Sequence, residues 1–277
     1  MATPAIAHFG TTIIEPPPLP GVEQAEVPIT GALKDTLRFL QIFGFEPLLQ
    51  NYYPNMGRQY IWRRGQPTDV DYVEKDNFTS YVAEARPPTA GPRVGDTVFR
   101  LTHADPRAVW RAWQKEGLGV AAVAADVPRF LAGDSQWLLL DGPDGQAYEL
   151  GPTQPDTAGN HRIYVWTDAE QLDEVTAAYV SHFGLQPLAE GDFHGLGQVR
   201  LLSRAEPGAS IGLLHSTGQL APRWTDDIFR EAGYSHFRMG AADMRRTLQE
   251  TREAFPQGGD VAFVYFADSY LELVQAP

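Results

Sequence analysis

The sequence has no cysteine among its 277 residues. Disulfide bonds, thiolate metal sites and a cysteine nucleophile are therefore excluded, so any metal must be held by His, Asp or Glu. Positive charge is also scarce, because 22 Lys and Arg stand against 35 Asp and Glu, for a net charge of −13. This surplus of negative charge argues against nucleic acid or an anionic membrane surface as a partner.

Long apolar runs are absent as well. No stretch approaches the roughly 18 apolar residues that a membrane-spanning helix needs. Residues 1–20 form an N-terminal tail without the basic and apolar segments of a signal peptide. The chain is nevertheless 43% hydrophobic and 11% aromatic, which is ample for a sizeable core. We therefore expect a soluble, cytoplasmic protein of one large domain or two domains of about 140 residues.

One hexapeptide occurs almost unchanged at two places, as FGFEPL at 43–48 and FGLQPL at 183–188. Before each copy, apolar residues recur at helical spacing, and a β-rich run precedes them. The glycine in each copy suits a helix C-terminus, and a strand is predicted to follow. The repeat is therefore a strand–helix–strand unit.

A related pattern lies inside each half, at 96–117 and 234–255. Each of these segments predicts a strand and a helix, followed by two strands of which the second carries a glutamate. The chain is thus predicted to contain four βαβββ units, roughly 20–88, 92–152, 158–217 and 230–277. We expect them to pair into a first domain at 21–152 and a second at 158–277, with the boundary at 151–160.

The segments DGPDGQAYELG (141–151) and SHFRMGAADM (235–244) resemble the vicinal oxygen chelate superfamily, which includes glyoxalase I, bleomycin-resistance proteins and type I extradiol dioxygenases. The resemblance implies an α+β fold with four βαβββ modules paired into two glyoxalase-like domains, each with a cup-shaped mixed sheet. It also implies metal ligands on the first and last strands of the units. The fold alone does not specify a reaction.

By this resemblance, the metal ligands are His161, His236 and Glu272, and each histidine stands seven residues before an aspartate. Two imidazoles and one carboxylate form the facial triad that suits non-haem Fe(II). The place of a fourth ligand, at 211–213, offers none. We therefore expect a divalent cofactor, Fe(II), with three protein ligands.

Three further residues are predicted to act on the substrate. If residues 268–269 form a hairpin turn, Tyr265 lies across from Glu272 and can hydrogen-bond a substrate oxygen. Arg238 would bring a cation into the same cup. His215 is the candidate base that would move a proton if the reaction is an isomerisation.

The first domain is predicted to hold a degenerate site. Its equivalent positions carry Gln24, Glu74, Asp96 and Glu149, without a histidine. In the second domain, His194 lies in the glycine-rich segment FHGLG, for which a lid and a simple turn are both open.

The leading hypothesis is a metal-dependent dioxygenase-like oxidoreductase acting on a small oxygenated or phenolic molecule. One alternative is an isomerase or lyase of glyoxalase type, in which the metal is a Lewis acid. The other is a metal-free protein that binds an aromatic ligand. The expected partner is a small-molecule substrate rather than nucleic acid or membrane, and a homodimer is left open.

Overall fold

The structure of the protein is a computed structural model. It describes residues 22–27, 33–44, 46–53, 57–63, 70–75, 92–118, 137–142, 147–153, 162–203, 210–216, 218, 220–222, 236–241, 243–250, 253–256, 261–266 and 269–275. These residues form strands and helices in the alternating order that the sequence predicts. The α+β fold is therefore confirmed.

The described strands are β1 (Val22–Val27), β2 (Glu46–Tyr53), β3 (Gly57–Arg63), β4 (Val70–Lys75), β5 (Thr97–His103), β6 (Leu138–Asp141), β7 (Ala147–Pro152), β8 (Arg162–Trp166), β9 (Gln186–Phe193), β10 (Gly197–Ser203), β11 (Ser210–His215), β12 (His236–Ala241), β13 (Glu253–Pro256), β14 (Val261–Phe266) and β15 (Ser269–Gln275). The described helices are α1 (Leu33–Phe43), α2 (Pro106–Glu116), α3 (Leu172–Phe183) and α4 (Met244–Glu250). None of the helices that the structure describes is long and apolar enough to cross a membrane.

Each unit folds as a strand, a helix and a run of strands that returns to the first strand. The first and last strands of a unit are parallel neighbours: β1 and β4 in unit 1, β5 and β7 in unit 2, β8 and β11 in unit 3, and β12 and β15 in unit 4. Parallel neighbours need a crossover, and the helix of each unit supplies it. The predicted βαβββ units are therefore confirmed as the building blocks.

The pairing of the units differs from the prediction. One sheet has eight strands in the order β13-β14-β15-β12-β1-β4-β3-β2, and the other has seven in the order β6-β7-β5-β8-β11-β10-β9. Unit 1 thus pairs with unit 4 through antiparallel β1 and β12, and unit 2 pairs with unit 3 through antiparallel β5 and β8. The division at 151–160 into two domains with their own sheets is wrong, because each sheet takes strands from both halves.

The hexapeptide repeat does mark equivalent places. In the first copy α1 ends at Phe43 and Gly44 follows at φ 103°, and in the second α3 ends at Phe183 and Gly184 follows at φ 66°. Both glycines have left-handed backbone conformations, which favour glycine at a helix end. The next strand begins two residues later in both copies.

The helices pack inside one large core that includes residues of both sheets. The stripe on α3 that the sequence predicts, Leu172, Val175, Tyr179 and Phe183, is buried in this core. Helices also contact each other within each half of the chain. Trp113 of α2 donates a hydrogen bond to the carbonyl of Phe39 in α1 at 2.9 Å and stacks on its ring.

Candidate functional site

The eight-stranded sheet has one face covered by helices and one face turned away from them, which we call its outer face. Met239 in β12 and Leu271 and Leu273 in β15 are buried in the core with the helices. Because side chains alternate along a strand, positions 236 and 238 of β12 and 270 and 272 of β15 belong to the outer face. Four of the six predicted site residues thus occupy this face, counting Tyr265 in β14.

Strand register defines which outer-face positions are neighbours. Arg238 lies directly beside Glu272 in the parallel pair of β12 and β15. Across the antiparallel pair of β1 and β12, Gln24 is opposite Arg238 and Glu26 is opposite His236. The outer face therefore combines positions from the two ends of the chain.

Tyr265 is not directly across from Glu272. The closing pair of the hairpin is Phe266 with Ser269, so Tyr265 pairs with Tyr270 and Glu272 pairs with Phe263. The predicted turn at 268–269 is wrong, because Ser269 already pairs with Phe266 in β15. Tyr265 and Glu272 still share a face, as diagonal neighbours two residues apart in register.

The predicted metal triad of His161, His236 and Glu272 stays a prediction, because the structure does not describe all three residues. His161 lies outside the described residues, but β8, which begins at the next residue, belongs to the seven-stranded sheet. In addition, Ile163 and Val165, which alternation predicts to share a face with His161, are buried on the helix-covered side. Strand β8 therefore belongs to a different sheet from the strands that carry His236 and Glu272.

His215 is also misplaced in the prediction. It is the last residue of β11 in the seven-stranded sheet, and by alternation it shares the helix-covered face with Ile211 and Leu213. Burial lowers the pKa of His215, and the charge of Arg200 lowers it further, whereas Glu190 raises it. His215 cannot serve as a base for groups on the outer face of the other sheet.

The outer face of the seven-stranded sheet carries a buried polar cluster that we call the Glu149 cluster, formed by Glu149, Arg100, Tyr164 and His194. Glu149 Oε2 accepts hydrogen bonds from Arg100 Nε at 2.5 Å and from the Tyr164 hydroxyl at 2.9 Å. Glu149 Oε1 lies 2.9 Å from His194 Nε2. The guanidinium of Arg100 also donates to the Tyr164 hydroxyl. All four side chains thus hydrogen-bond within one group.

These contacts keep Glu149 ionised although its side chain is only 4% exposed. Burial, the largest single influence, raises the pKa of Glu149, but the hydrogen bond with His194 and the charge of Arg100 together outweigh it, so the pKa is lowered. His194 must carry its proton on Nε2 to donate to this carboxylate. The cluster therefore holds a carboxylate charge against a guanidinium inside the protein.

Apolar side chains, several of them aromatic, cover other described positions of this outer face. Tyr164, Trp166 and Phe193 are buried there in a second apolar cluster. A Cβ atom added at Gly212 would lie 2.3 Å from Tyr164 Cδ1, so the ring occupies the space beside Gly212. The guanidinium carbon of Arg100 lies 3.8 Å from the centre of the Trp137 ring. The place where the resemblance expects a fourth ligand is thus covered by a ring.

The FHGLG segment is both a turn and a cover. Residues 194–196 form the turn between β9 and β10, with positive φ at His194 (53°) and Gly195 (71°). Asp192 stabilises the turn by accepting a hydrogen bond from the Gly195 amide at 2.8 Å. The turn places His194 against Glu149, and the described structure of this segment is a simple turn.

The sequence prediction missed Arg100 and Tyr164. Both could have been found by alternation, since Arg100 stands between buried Phe99 and Leu101 in TVFRLTH and Tyr164 between Ile163 and Val165 in RIYVW. Such residues face the side opposite the apolar core. What alternation cannot show is that the two strands are neighbours in one sheet.

Solved structures resemble this chain over nearly its whole length. Glyoxalase I from Zea mays has a TM-score of 0.62 and 14% sequence identity, over 93% of this chain and 92% of the maize chain. A point variant of the maize enzyme has a TM-score of 0.64 with 14% identity, over 93% of this chain and 92% of that chain. A candidate dioxygenase from Bacillus subtilis has a TM-score of 0.55 and 13% identity, over 94% of this chain and 86% of the other.

No protein-family model and no curated protein sequence matches the chain. Identities of 13–14% bear on the fold and not on the activity. The similarity covers both halves and agrees with the four units and two mixed sheets described above. The chain therefore has a glyoxalase-like fold, with four βαβββ units in one polypeptide.

Proposed function

We propose that the chain is a metal-dependent enzyme whose metal centre lies on the outer face of the eight-stranded sheet, between units 1 and 4. The supporting observation is the strand pairing, which puts Glu26 of β1 opposite His236 of β12. Glu272 is one strand further along, in β15. One imidazole and two carboxylates are donor types that bind divalent ions, and all three belong to neighbouring positions of one face.

The two sheets share a feature that allows their outer faces to be compared. In each sheet, an arginine of a unit's first strand pairs in register with a glutamate of its last strand. These pairs are Arg238 with Glu272 in the eight-stranded sheet and Arg100 with Glu149 in the seven-stranded sheet. Positions around them are therefore equivalent.

The outer faces differ two residues before each arginine. In the eight-stranded sheet that position is His236, with Glu26 opposite. In the seven-stranded sheet it is Val98, with Tyr164 opposite. An imidazole facing a carboxylate suits a metal ion, whereas a valine facing a tyrosine does not. The comparison favours the eight-stranded sheet as the metal-binding one.

The donor set favours Lewis-acid chemistry. Gln24 in β1 and Glu74 in β4 add oxygen donors to the same face by alternation. One imidazole with several oxygen donors differs from the two-imidazole triad typical of Fe(II) dioxygenases. When bound, a divalent ion would polarise an oxygen of the substrate. We therefore propose an isomerase or lyase that acts on a small oxygenated molecule.

Other residues of the face would complete the site. Arg238 brings a positive charge that suits an anionic group of the substrate. Tyr265 and Tyr270, which are opposite each other in register, bring hydroxyl groups that can donate hydrogen bonds to substrate oxygens. Glu26 brings a carboxylate that can accept a proton from a carbon beside a polarised carbonyl.

A non-haem Fe(II) dioxygenase acting on a phenolic molecule is the second candidate. It is favoured by Tyr265, a diagonal neighbour of Glu272 on the same face, since a hydroxyl there can hydrogen-bond a phenolate oxygen. A dioxygenase consumes O2 in each turnover, and an isomerase or lyase does not.

Metal analysis of purified variants tests the site. His236→Ala and Glu272→Ala should each lose most of the bound divalent metal, because each removes one protein ligand. His161→Ala is the matched control and should keep the metal, because β8 lies in the other sheet. If His161→Ala loses metal as fully as His236→Ala, the proposed placement is wrong.

An oxygen electrode then separates the reaction classes. Metal-loaded protein would be given catechols, hydroquinones and 2-oxo compounds, with substrate loss measured beside O2 uptake. Turnover without O2 uptake supports an isomerase or lyase, and matched uptake supports the dioxygenase. If no metal binds and the metal-free protein binds an aromatic ligand tightly, the proposal is wrong and the chain is a ligand-binding protein.

A further inference from the structure

The Glu149 cluster differs in kind from the proposed metal centre, although Glu149 and Glu272 hold equivalent positions. Both oxygens of Glu149 already accept hydrogen bonds, from Arg100 and Tyr164 on one oxygen and from His194 on the other. A metal ion would need to displace at least one of these donors. The guanidinium of Arg100 is an ionised partner already in contact with the carboxylate, so it supplies the positive charge that a cation would supply.

Access to this carboxylate is also blocked. The Arg100 and His194 side chains are each 10% exposed and the Glu149 side chain is 4% exposed. The Tyr164 ring covers Gly212, and a Cβ added at Gly151 would lie 2.1 Å from Trp137 Cε3. Among the residues that the structure describes, side chains therefore cover the face around Glu149.

The cluster also joins two units across the sheet. Arg100 and Glu149 come from unit 2, whereas Tyr164 and His194 come from unit 3. Within the described residues, the strands that join these units, β5 and β8, are in register over three residue pairs, Thr97 with Val165, Val98 with Tyr164, and Phe99 with Ile163. Because this ladder is short, the buried hydrogen bonds of Tyr164 and His194 to the Glu149 carboxylate are a second connection between the two units.

We propose that the outer face of the seven-stranded sheet is closed to metal ions because the Arg100 guanidinium takes the place of a divalent cation beside Glu149, and that this buried ion pair, together with the hydrogen bonds of Tyr164 and His194 to Glu149, stabilises the sheet where units 2 and 3 meet. The inference concerns the sheet opposite the proposed metal centre and does not depend on that centre. It predicts that metal bound by the chain is independent of Glu149.

A Co²⁺ titration followed by visible absorption tests the first part. Wild-type protein and Glu149→Gln should bind the same number of ions, whereas His236→Ala tests the proposed centre separately. One ion fewer in Glu149→Gln would show that this face binds metal and would overturn the inference. An effect confined to His236→Ala, or no binding in any protein, leaves the closed face supported.

A double-mutant cycle in thermal unfolding tests the second part. Breaking a buried ion pair from one side leaves an uncompensated charge, so Arg100→Met should lower Tm by about 10 °C. Arg100→Met combined with Glu149→Gln removes both charges and should recover most of that loss. If Arg100→Met does not fold, the double variant still folds when the pairing is correct. Losses that simply add in the double variant would refute the pairing.

Arg200→Met is the matched control. Arg200 also contacts two carboxylates, Asp173 at 2.7 Å and Glu190 at 2.6 Å, but those carboxylates are 93% and 64% exposed. Ion pairs with exposed partners contribute little, so the Tm of Arg200→Met should stay close to that of the wild type. A loss as large as in Arg100→Met would mean that burial is not the cause, which would also refute the inference.

Discussion

Replacing Gly212 with alanine should destabilise the protein, because Tyr164 occupies the space that the new methyl group needs. An ideal Cβ at this position lies 2.3 Å from Tyr164 Cδ1, 2.9 Å from Tyr164 Cε1 and 3.0 Å from Val199 Cγ2. Contacts this short force one of the groups to move. Tyr164 cannot turn into solvent, since it is 1% exposed and hydrogen-bonded to Glu149.

The magnitude follows from three contributions. Adding a methyl group to a packed interior typically costs about 1–3 kcal/mol. Weakening the buried hydrogen bond of Tyr164 adds roughly 1 kcal/mol. Alanine also reduces the conformational freedom of the unfolded chain, which stabilises the folded protein by about 0.4–1 kcal/mol. A net loss of about 2–3 kcal/mol in the free energy of unfolding is therefore expected for Gly212→Ala.

Urea unfolding at neutral pH measures this loss as a lower midpoint with an unchanged slope. Gly191→Ala is the matched control, because Gly191 also lies in a strand of the same sheet and a Cβ there meets no heavy atom within 4 Å. The control should be as stable as the wild type or gain up to about 1 kcal/mol.

The reasoning would be refuted by equal stability of Gly212→Ala and Gly191→Ala. A double-mutant cycle makes the test specific. In a Tyr164→Ala background the ring is gone, so Gly212→Ala should cost nothing further. An undiminished cost in that background would mean that the Tyr164 ring is not the obstacle.

Three further predictions concern pH and helix packing. The pKa of the Glu149 carboxyl is lowered in the folded protein. The ionised carboxylate therefore stabilises the fold above the unfolded pKa of about 4.3, and this stabilisation is lost as pH falls through the folded pKa. Glu149→Gln should flatten the fall in urea midpoint below about pH 4.3. Burial, as the main cause, lowers the pKa of His182. Its stabilisation is therefore lost as pH falls below the unfolded value of about 6.5, and His182→Gln should reduce the fall in Tm between about pH 7 and 5. Trp113→Phe removes the donor to the buried Phe39 carbonyl and should cost about 1–3 kcal/mol in urea unfolding; a cost within error of zero would contradict this contact.

Residue patterns along the chain were sufficient to predict the faces of the strands. Alternation placed His236 with Arg238, and the register confirms that both share the outer face with Glu272. Helical spacing likewise predicted the buried stripe of α3. Both patterns are local, because they arise from the geometry of a single strand or helix.

The pairing of the units could not be predicted in the same way. Strands β1 and β12 are separated by more than 200 residues. The first strands of all four units have a similar pattern of alternation, so the pattern does not show which of them pair. The order of the units along the chain predicted that consecutive units pair. The helices of consecutive units do pack together, as the contact between Trp113 and Phe39 shows. The sheets instead join the ends of the chain to each other and the middle units to each other.

Each unit therefore has two different neighbours, one through its helix and one through its first strand. Units 3 and 4 contact through helices, since His182 of α3 lies 3.1 Å from the Thr247 hydroxyl of α4. Their strands nevertheless belong to different sheets. No half of the chain thus contains a complete outer face. The proposed site on the eight-stranded sheet would draw residues from β1 and β4 as well as from β12 and β15. On that proposal the weak ligand pattern of the first unit is one part of a shared site.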